Sequence, residues 1–426
     1  MRQPAVIHRY PNGLTLAVAP MPAMASVSAG VWVGVGGRYE DAALNGASHF
    51  IEHMLFKGTR RRSARDISEA VEGVGGYLNA FTSEETTCFF AKAPRQHLGT
   101  VLDVLTDLFL NSVFDPRDLA TEREVIREEA AMYRDQPHHH VEELLNALQW
   151  PDHPLGRPLT GTEATLPRLT RERLLAFRRR HHVAPAILIA VAGACTPGEC
   201  RRALARWVDR FSPGPRPECE PVRPRQNGPG VRLEHRRIAQ TQLALGLRTC
   251  SRHDPRRFAL RLLNVVLGEN ASSRLFQSLR EERGITYHVG SALSFFQDTG
   301  DLVVTAGLEP GHLARALRLI VAELRRLKTQ PPGAAELRRA RDYVLGQMDL
   351  SLENSENLMM WLGEQWLGYG RLFAPESLRR ALRRVTAAEL RAAAEDFFRA
   401  DRANLALVGP HRAGEVETLR RILARL

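Results

Sequence analysis

Long apolar runs are missing from this 426-residue chain: nothing approaches the roughly 20 consecutive apolar residues that cross a bilayer, so no membrane-spanning helix is expected. The start, Met1-Arg2-Gln3-Pro4-Ala5, lacks the basic end and apolar stretch of a secretory signal. The expected compartment is therefore the cytoplasm, with no membrane partner. Cysteine is scarce: five residues, Cys88, Cys195, Cys200, Cys219 and Cys250, odd in number and without a C-x-x-C pair. That argues against a disulfide framework and against a thiolate zinc site, and leaves buried, reduced thiols. Lysine is almost absent, at Lys57, Lys92 and Lys328, so the net charge of +11 is carried by arginine. Residues 1–215 sum to +1 and residues 216–426 to +10, and no basic motif interleaved with aromatics accompanies the excess. Solvated helix faces are thus expected in place of a nucleic-acid surface, although a basic nucleic-acid-binding protein stays a rival reading. Residues 101–150, by contrast, sum to −7, which suits cationic peptides if that face lines a site.

What remains is globular: 44% hydrophobic and 25% charged over a length that supports two to three domains. One proline-dense stretch, running from Phe211-Ser212-Pro213 through Pro217, Pro221, Pro224 and Gly228-Pro229-Gly230, can hold neither a helix nor an interior strand. It divides the chain into an N-terminal domain over 1–212, a linker over 213–230 and a C-terminal domain over 231–426. Each half opens with strands, continues through long amphipathic helices and closes with a short apolar strand and a last helix. The closing strands are Ala186–Val191 and Asn404–Val408, followed by helices from about Pro197 to Arg210 and about Arg412 to Leu426. The layout predicts an α+β protein made of two homologous α/β-sandwich domains, a duplicated unit joined by the Pro/Gly-rich linker.

The chemistry concentrates in His49-Phe50-Ile51-Glu52-His53. On a helix, positions three and four apart share a face, so His49, Glu52 and His53 project together, and the two imidazoles are spaced to chelate one metal ion. Asn45 and Ser48 are the expected start caps, Gly58 the expected end, and Phe50, Ile51, Met54 and Leu55 the packing face. H-x-x-E-H is a metallopeptidase signature, the inverse of H-E-x-x-H. A catalytic zinc site needs a third ligand on a nearby rigid element. Within Thr121–Glu129, Glu122 and Glu129 lie two helical turns apart on one face, while Glu124 and Glu128 point elsewhere. Taken alone, that run reads as a solvated acidic face balanced by Arg123 and Arg127.

Together these segments resemble the zinc peptidases that include pitrilysin, insulin-degrading enzyme and the mitochondrial processing peptidase, often called inverzincins. The resemblance extends to Gly30-Val31-Trp32-Val33-Gly34-Val35-Gly36, Asn79-Ala80-Phe81-Thr82, His153-Pro154-Leu155-Gly156-Arg157-Pro158 and Arg274–Tyr287, and covers nearly the whole chain. It implies one zinc ion per chain, held by His49, His53 and Glu129, with Glu122 supporting the site and Glu52 as general base. It implies that Arg280 and Tyr287, seven apart, act on the reaction from the other domain, where their own context reads as helix surface and strand core. It also implies that Asn79, Ala80, Phe81 and Thr82 form an edge strand on which an extended peptide adds as an extra strand. The expected function is a zinc-dependent endopeptidase acting on unfolded peptides or precursor segments, working as a homodimer or with a homologous partner subunit. A noncatalytic scaffold subunit of the same fold is the alternative, and His2Glu sites also accept cobalt or manganese. Three further features read as structural. His138-His139-His140 is a solvated run, Gly75-Gly76 a helix end before a strand at Tyr77, and Met359-Met360-Trp361 helical packing.

Overall fold

The computed structural model describes residues 5–223, 226–411 and 414–426. The leader expectation at Met1–Pro4, Pro224 of the linker and the Arg412 start of the last helix lie outside them. The strands are β1 (Val6–Arg9), β2 (Thr15–Pro20), β3 (Ser26–Val33), β4 (Tyr77–Thr82), β5 (Thr87–Pro94), β6 (Ile187–Gly193), β7 (Gly230–Glu234), β8 (Thr241–Thr249), β9 (Thr286–Phe295), β10 (Gly300–Leu308) and β11 (Ala403–Val408). The first half carries helices α1 (Ala47–Leu55), α2 (Ala64–Glu72), α3 (Leu98–Asn111), α4 (Pro116–Asp135), α5 (Pro137–Gln149), α6 (Arg171–His181) and α7 (Pro197–Leu204). The second carries α8 (Arg257–Asn264), α9 (Leu313–Thr329), α10 (Ala334–Glu353), α11 (Ser355–Tyr369), α12 (Pro375–Arg384), α13 (Ala387–Phe397) and α14 (Glu415–Leu423). The helix expected to reach Arg210 stops at Leu204, and Val208–Arg210 forms a separate 3-10 turn. Gly75, at φ 78°, turns the chain out of α2, and Gly76 N–H bonds Val71 O before β4 begins. Among the described residues of 213–229 there is neither helix nor strand.

The duplication is visible in strand pairing. One sheet runs β1-β2-β6-β3-β5-β4 and the other β7-β11-β8-β10-β9. Setting β1 aside, each half threads its five strands in the same spatial order. In each, the first and last strands of the half pair in parallel, β2 with β6 and β7 with β11, and the other pairings are antiparallel.

The chain forms two compact units. One gathers the chain up to Ala131, Arg157–Glu220 and Asp349–Leu372; the other gathers Met132–Gly156, Pro221–Met348 and Phe373–Leu426. Each unit thus takes one helix from the far half of the sequence. In the first unit the alternation of β3 sends Val27, Ala29, Val31 and Val33 into the main core with α1 and α3. The opposite face presents Ser28, Gly30 and Trp32 to α11. Ser28 Oγ lies 2.9 Å from Ser355 Oγ, and the buried Trp32 indole donates to Met359 Sδ at 3.3 Å. The expected packing role of Met359 is met here. In the second unit Leu243, Leu245 and Leu247 of β8 face the core. Ala244 packs with Ala406 and Val408 against Val141, Leu144 and Leu145 of α5. Arg248 donates to Gln149 O at 3.0 Å. With a helix on both faces, the closing strands β6 and β11 are buried along their length, which is why they read as continuous apolar runs.

Candidate metal centre

Helix α1 is amphipathic at helical period: Phe50, Ile51, Met54 and Leu55 are buried, at 0–1% exposure, and the other face carries His49, Glu52 and His53. Its start differs from the expectation that Asn45 and Ser48 would cap it. Gly46, at φ 95°, is the cap residue, and the buried Glu40 carboxylate accepts the Gly46 N–H at 2.7 Å and the Ser48 N–H at 2.6 Å, one on each oxygen. Asn45 instead ties the cap outward, donating to Pro158 O at 2.9 Å. Glu40 lies six positions before Gly46, and the left-handed turn folds that interval back on the helix start, a geometry that a local capping pattern does not encode. A carboxylate there also complements the helix dipole, although burial pushes Glu40 up to about 7 against those same bonds. Gly58 is likewise not the end of the helix. Phe56 caps it through the His53 and Met54 carbonyls, and Gly58, at φ 120°, pairs with Ser63 in the next turn.

The third residue of the cluster comes from α4. Glu129 Oε2 lies 3.6 Å from His49 Nε2 and 3.5 Å from His53 Nε2. Two ligands bonded to a tetrahedral zinc at about 2.0–2.1 Å are about 3.4 Å apart, so these two separations fit a single ion. The three residues form the one His/Cys/Asp/Glu group among the described residues whose ligand atoms all lie within 4.8 Å of one another. Burial, reinforced by the neighbouring His53, lowers the His49 pKa to about 4, which keeps that imidazole neutral near pH 7 with a lone pair to offer. For His53 burial works the same way, but hydrogen bonds to Glu129 and Glu122 outweigh it and raise the pKa. The donor set fits zinc, and the chain carries a site for one zinc ion.

Around the ligands, Glu122 is buried, and its Oε2 lies 3.0 Å from His53 Nδ1. Its other oxygen is 2.6 Å from Lys57 Nζ. Glu124, as expected, points away, pairing with Arg127 at the surface. Glu52 is raised by burial, opposed by the Thr82 hydroxyl, which donates to its Oε2 at 2.5 Å. Thr82 ends β4, and among the described residues β4 pairs only with β5, so Asn79, Ala80, Phe81 and Thr82 do lie on a sheet edge. Sequence reasoning passed over Glu40, Lys57 and the Thr82–Glu52 bond. The one available signal was Lys57 itself, a rare lysine four residues after His53.

Arg280 and Tyr287 belong to the second unit, where the guanidinium lies 4.6 Å from the Tyr287 ring centre. Tyr287 stands on edge strand β9 and is 78% exposed, so the strand-core reading of that residue fails. The solvated reading of the histidine run holds for His138 and His139 and fails for His140. That residue turns inward on α5, with Nδ1 3.1 Å from Glu143 Oε2 and Nε2 2.8 Å from Glu234 Oε2.

Comparison with known proteins agrees with this geometry. Residues 16–163 match the insulinase (peptidase family M16) model, and residues 168–344 match that of the peptidase M16 inactive domain. An uncharacterised zinc protease of Mycobacterium leprae is 37% identical over 407 residues, covering 94% of this chain and 91% of its own length. The uncharacterised zinc protease YmxG of Bacillus subtilis is 34% identical over 95% of this chain and 98% of its own. Among solved structures, a protease from Helicobacter pylori shares the fold, with a TM-score of 0.90 at 20% identity over 96% of this chain and all of that one. With its H-x-x-E-H segment intact, the chain is a zinc-dependent metalloendopeptidase, and it belongs to the insulinase family, peptidase family M16.

Proposed function

We propose that this peptidase cleaves extended, unfolded peptides with Glu52 as general base, His49, His53 and Glu129 as zinc ligands, and β4 as the docking edge. The convergence of Glu129 of α4 on His49 and His53, which share a face of α1 with Glu52, carries the reading. Bound zinc supplies Lewis acidity to the attacking water and to the scissile carbonyl. Glu52 takes the proton of that water on the oxygen that Thr82 does not hold, then returns it to the leaving amine. A raised pKa in a buried carboxyl suits that shuttle, because the base must give the proton back. The outer edge of β4 offers main-chain groups to a substrate strand around Asn79, Ala80, Phe81 and Thr82, which favours shape over sequence in substrate choice. Arg280 and Tyr287 are the donors we assign to the developing oxyanion, and their ring–guanidinium contact supports a joint role.

We further infer that the protein works in the cytoplasm as a homodimer, or with a homologous partner subunit. No helix among the described residues is long and apolar enough to cross a membrane. Zinc content and cleavage of a mixed library of unfolded peptides test the function, with Glu52→Gln and a chelator-treated sample as controls. Near-stoichiometric zinc with activity lost in both controls is the expected result. Zinc without cleavage of any peptide, by the chain alone or with a homologous subunit, would return the protein to the scaffold alternative.

A further inference from the structure

Lys57 has no part in the ligand set, yet it completes a closed circuit of contacts around it. Its Nζ lies 2.6 Å from Glu122 Oε1, and the opposite oxygen of that carboxylate lies 3.0 Å from His53 Nδ1. The Glu122 side chain is 4% exposed and that of Lys57 36% exposed, so the carboxylate is enclosed while the ammonium keeps contact with water. Lys57 follows α1 by two residues, its N–H bonded to Met54 O at 3.3 Å. The path therefore leaves α1 at His53, crosses to α4 at Glu122, and returns through Lys57 to the turn that ends α1.

Two consequences follow from that circuit. For Nε2 of His53 to face a metal with a lone pair, the proton must sit on Nδ1 and be donated to an acceptor of fixed position. Glu122 Oε2 is that acceptor, and its direction is set by where Oε1 is held. A carboxylate with only one oxygen anchored can swing about its terminal torsion, which is broad and unrestrained by itself. In addition, the clamp joins α1 to α4 one step before Glu129, which lies two turns further along α4 on the same side. Glu129 thus stands on a helix that is tied to the end of α1 at Glu122.

We propose that Lys57 is a positioning residue for the metal centre: by gripping the far oxygen of Glu122 it fixes the His53 ring and the seating of α4, and so sets zinc affinity. The proposal rests on the zinc-site reading above. Loss of an outer partner of a zinc-bound histidine typically weakens affinity about 10–100-fold. Lys57 stands one contact further out, so Lys57→Met should weaken zinc binding about tenfold, and Lys57→Arg should stay within about threefold of wild type.

The test strips the full-length protein of metal and titrates zinc back against a chromogenic chelator, for wild type, Lys57→Met, Lys57→Gln and Lys57→Arg. Melting temperatures of the metal-free forms are measured beside it. Weaker zinc binding in both neutral variants, rescued by arginine at an unchanged metal-free melting temperature, is the expected outcome. Wild-type zinc affinity in Lys57→Met, or in Lys57→Gln should the methionine variant misfold, overturns the proposal and leaves Lys57 a structural ion pair. If wild type itself takes up no zinc, the metal-site reading falls first and this inference with it.

Discussion

Replacing Gly363 of α11 with alanine tests whether a helix from the second half of the chain truly seats on the first sheet. A Cβ built at Gly363 would lie 2.1 Å from Trp32 Cε2, 2.4 Å from Cδ2 and 2.5 Å from Cζ2. Carbon atoms in contact settle at about 3.5–4.0 Å, so the indole would have to retreat by over 1 Å. It is 1% exposed, its N–H is engaged with Met359, and its ring meets Phe81 edge-on at 5.5 Å. Overpacking of that kind costs about 1–3 kcal/mol and sometimes more. Against it stands the helix propensity of alanine over glycine, about 1 kcal/mol. The clash outweighs it over most of that range, and Gly363→Ala should lose up to about 2 kcal/mol, or up to about 8 °C in Tm for a unit of this size. Gly346 of α10 provides the control, since a Cβ there meets nothing within 4 Å. Gly346→Ala should be neutral or gain up to about 1 kcal/mol. Differential scanning calorimetry of both variants decides the matter. If Gly363→Ala is as stable as Gly346→Ala, the seating of α11 against Trp32 is wrong.

Burial that carries Glu40 from 4.5 up to about 7 means that folding takes up a proton between those values, so its contribution is greatest in acid and is lost as pH rises through the window. The span is worth about 3 kcal/mol at 1.36 kcal/mol per pH unit, and Glu40→Gln, which cannot titrate, should flatten the pH dependence of unfolding by denaturant in that range. Thr82→Val removes the hydroxyl bonded to Glu52 and should lower kcat about tenfold or more with zinc content unchanged, while Thr82→Ser restores it; equal turnover in the valine variant would remove Thr82 from the mechanism. Tyr287→Phe should slow turnover by a factor that corresponds to about 1–3 kcal/mol of barrier and leave zinc bound, and a wild-type rate would cancel the role proposed for that hydroxyl.

The zinc helix was legible because His49, Glu52 and His53 obey a local rule: helical spacing puts them on one face whatever surrounds them. Glu122 and Glu129 obey the same rule, but choosing them over a solvated acidic face took the resemblance to known peptidases. Glu40, Lys57 and the Thr82 bond to Glu52 escaped because each depends on a neighbour brought near by a turn, a second helix or a sheet edge. His140 shows the limit from the other side. Three adjacent histidines look alike in sequence; Glu143 lies one helical turn from His140 on α5, but only the position of β7 brings Glu234 against the third of them. The duplicated layout was legible in the order of elements and is matched by the strand order. The placement of α5 and α11 was not, since an apolar stripe shows that a helix is buried without showing which sheet receives it.

Two copies of a unit that trade an identical element form a domain-swapped dimer, and this chain has the same topology with the two copies written in tandem. α5 covers strands of the second half and α11 covers strands of the first. Neither half can close its sheet with its own helices. Hydrolysis of the proline-rich stretch would therefore break one peptide bond without freeing either piece, because each would still be gripped through a helix held on the other's sheet. The chain is fastened twice, once by covalent bonds and once by packing.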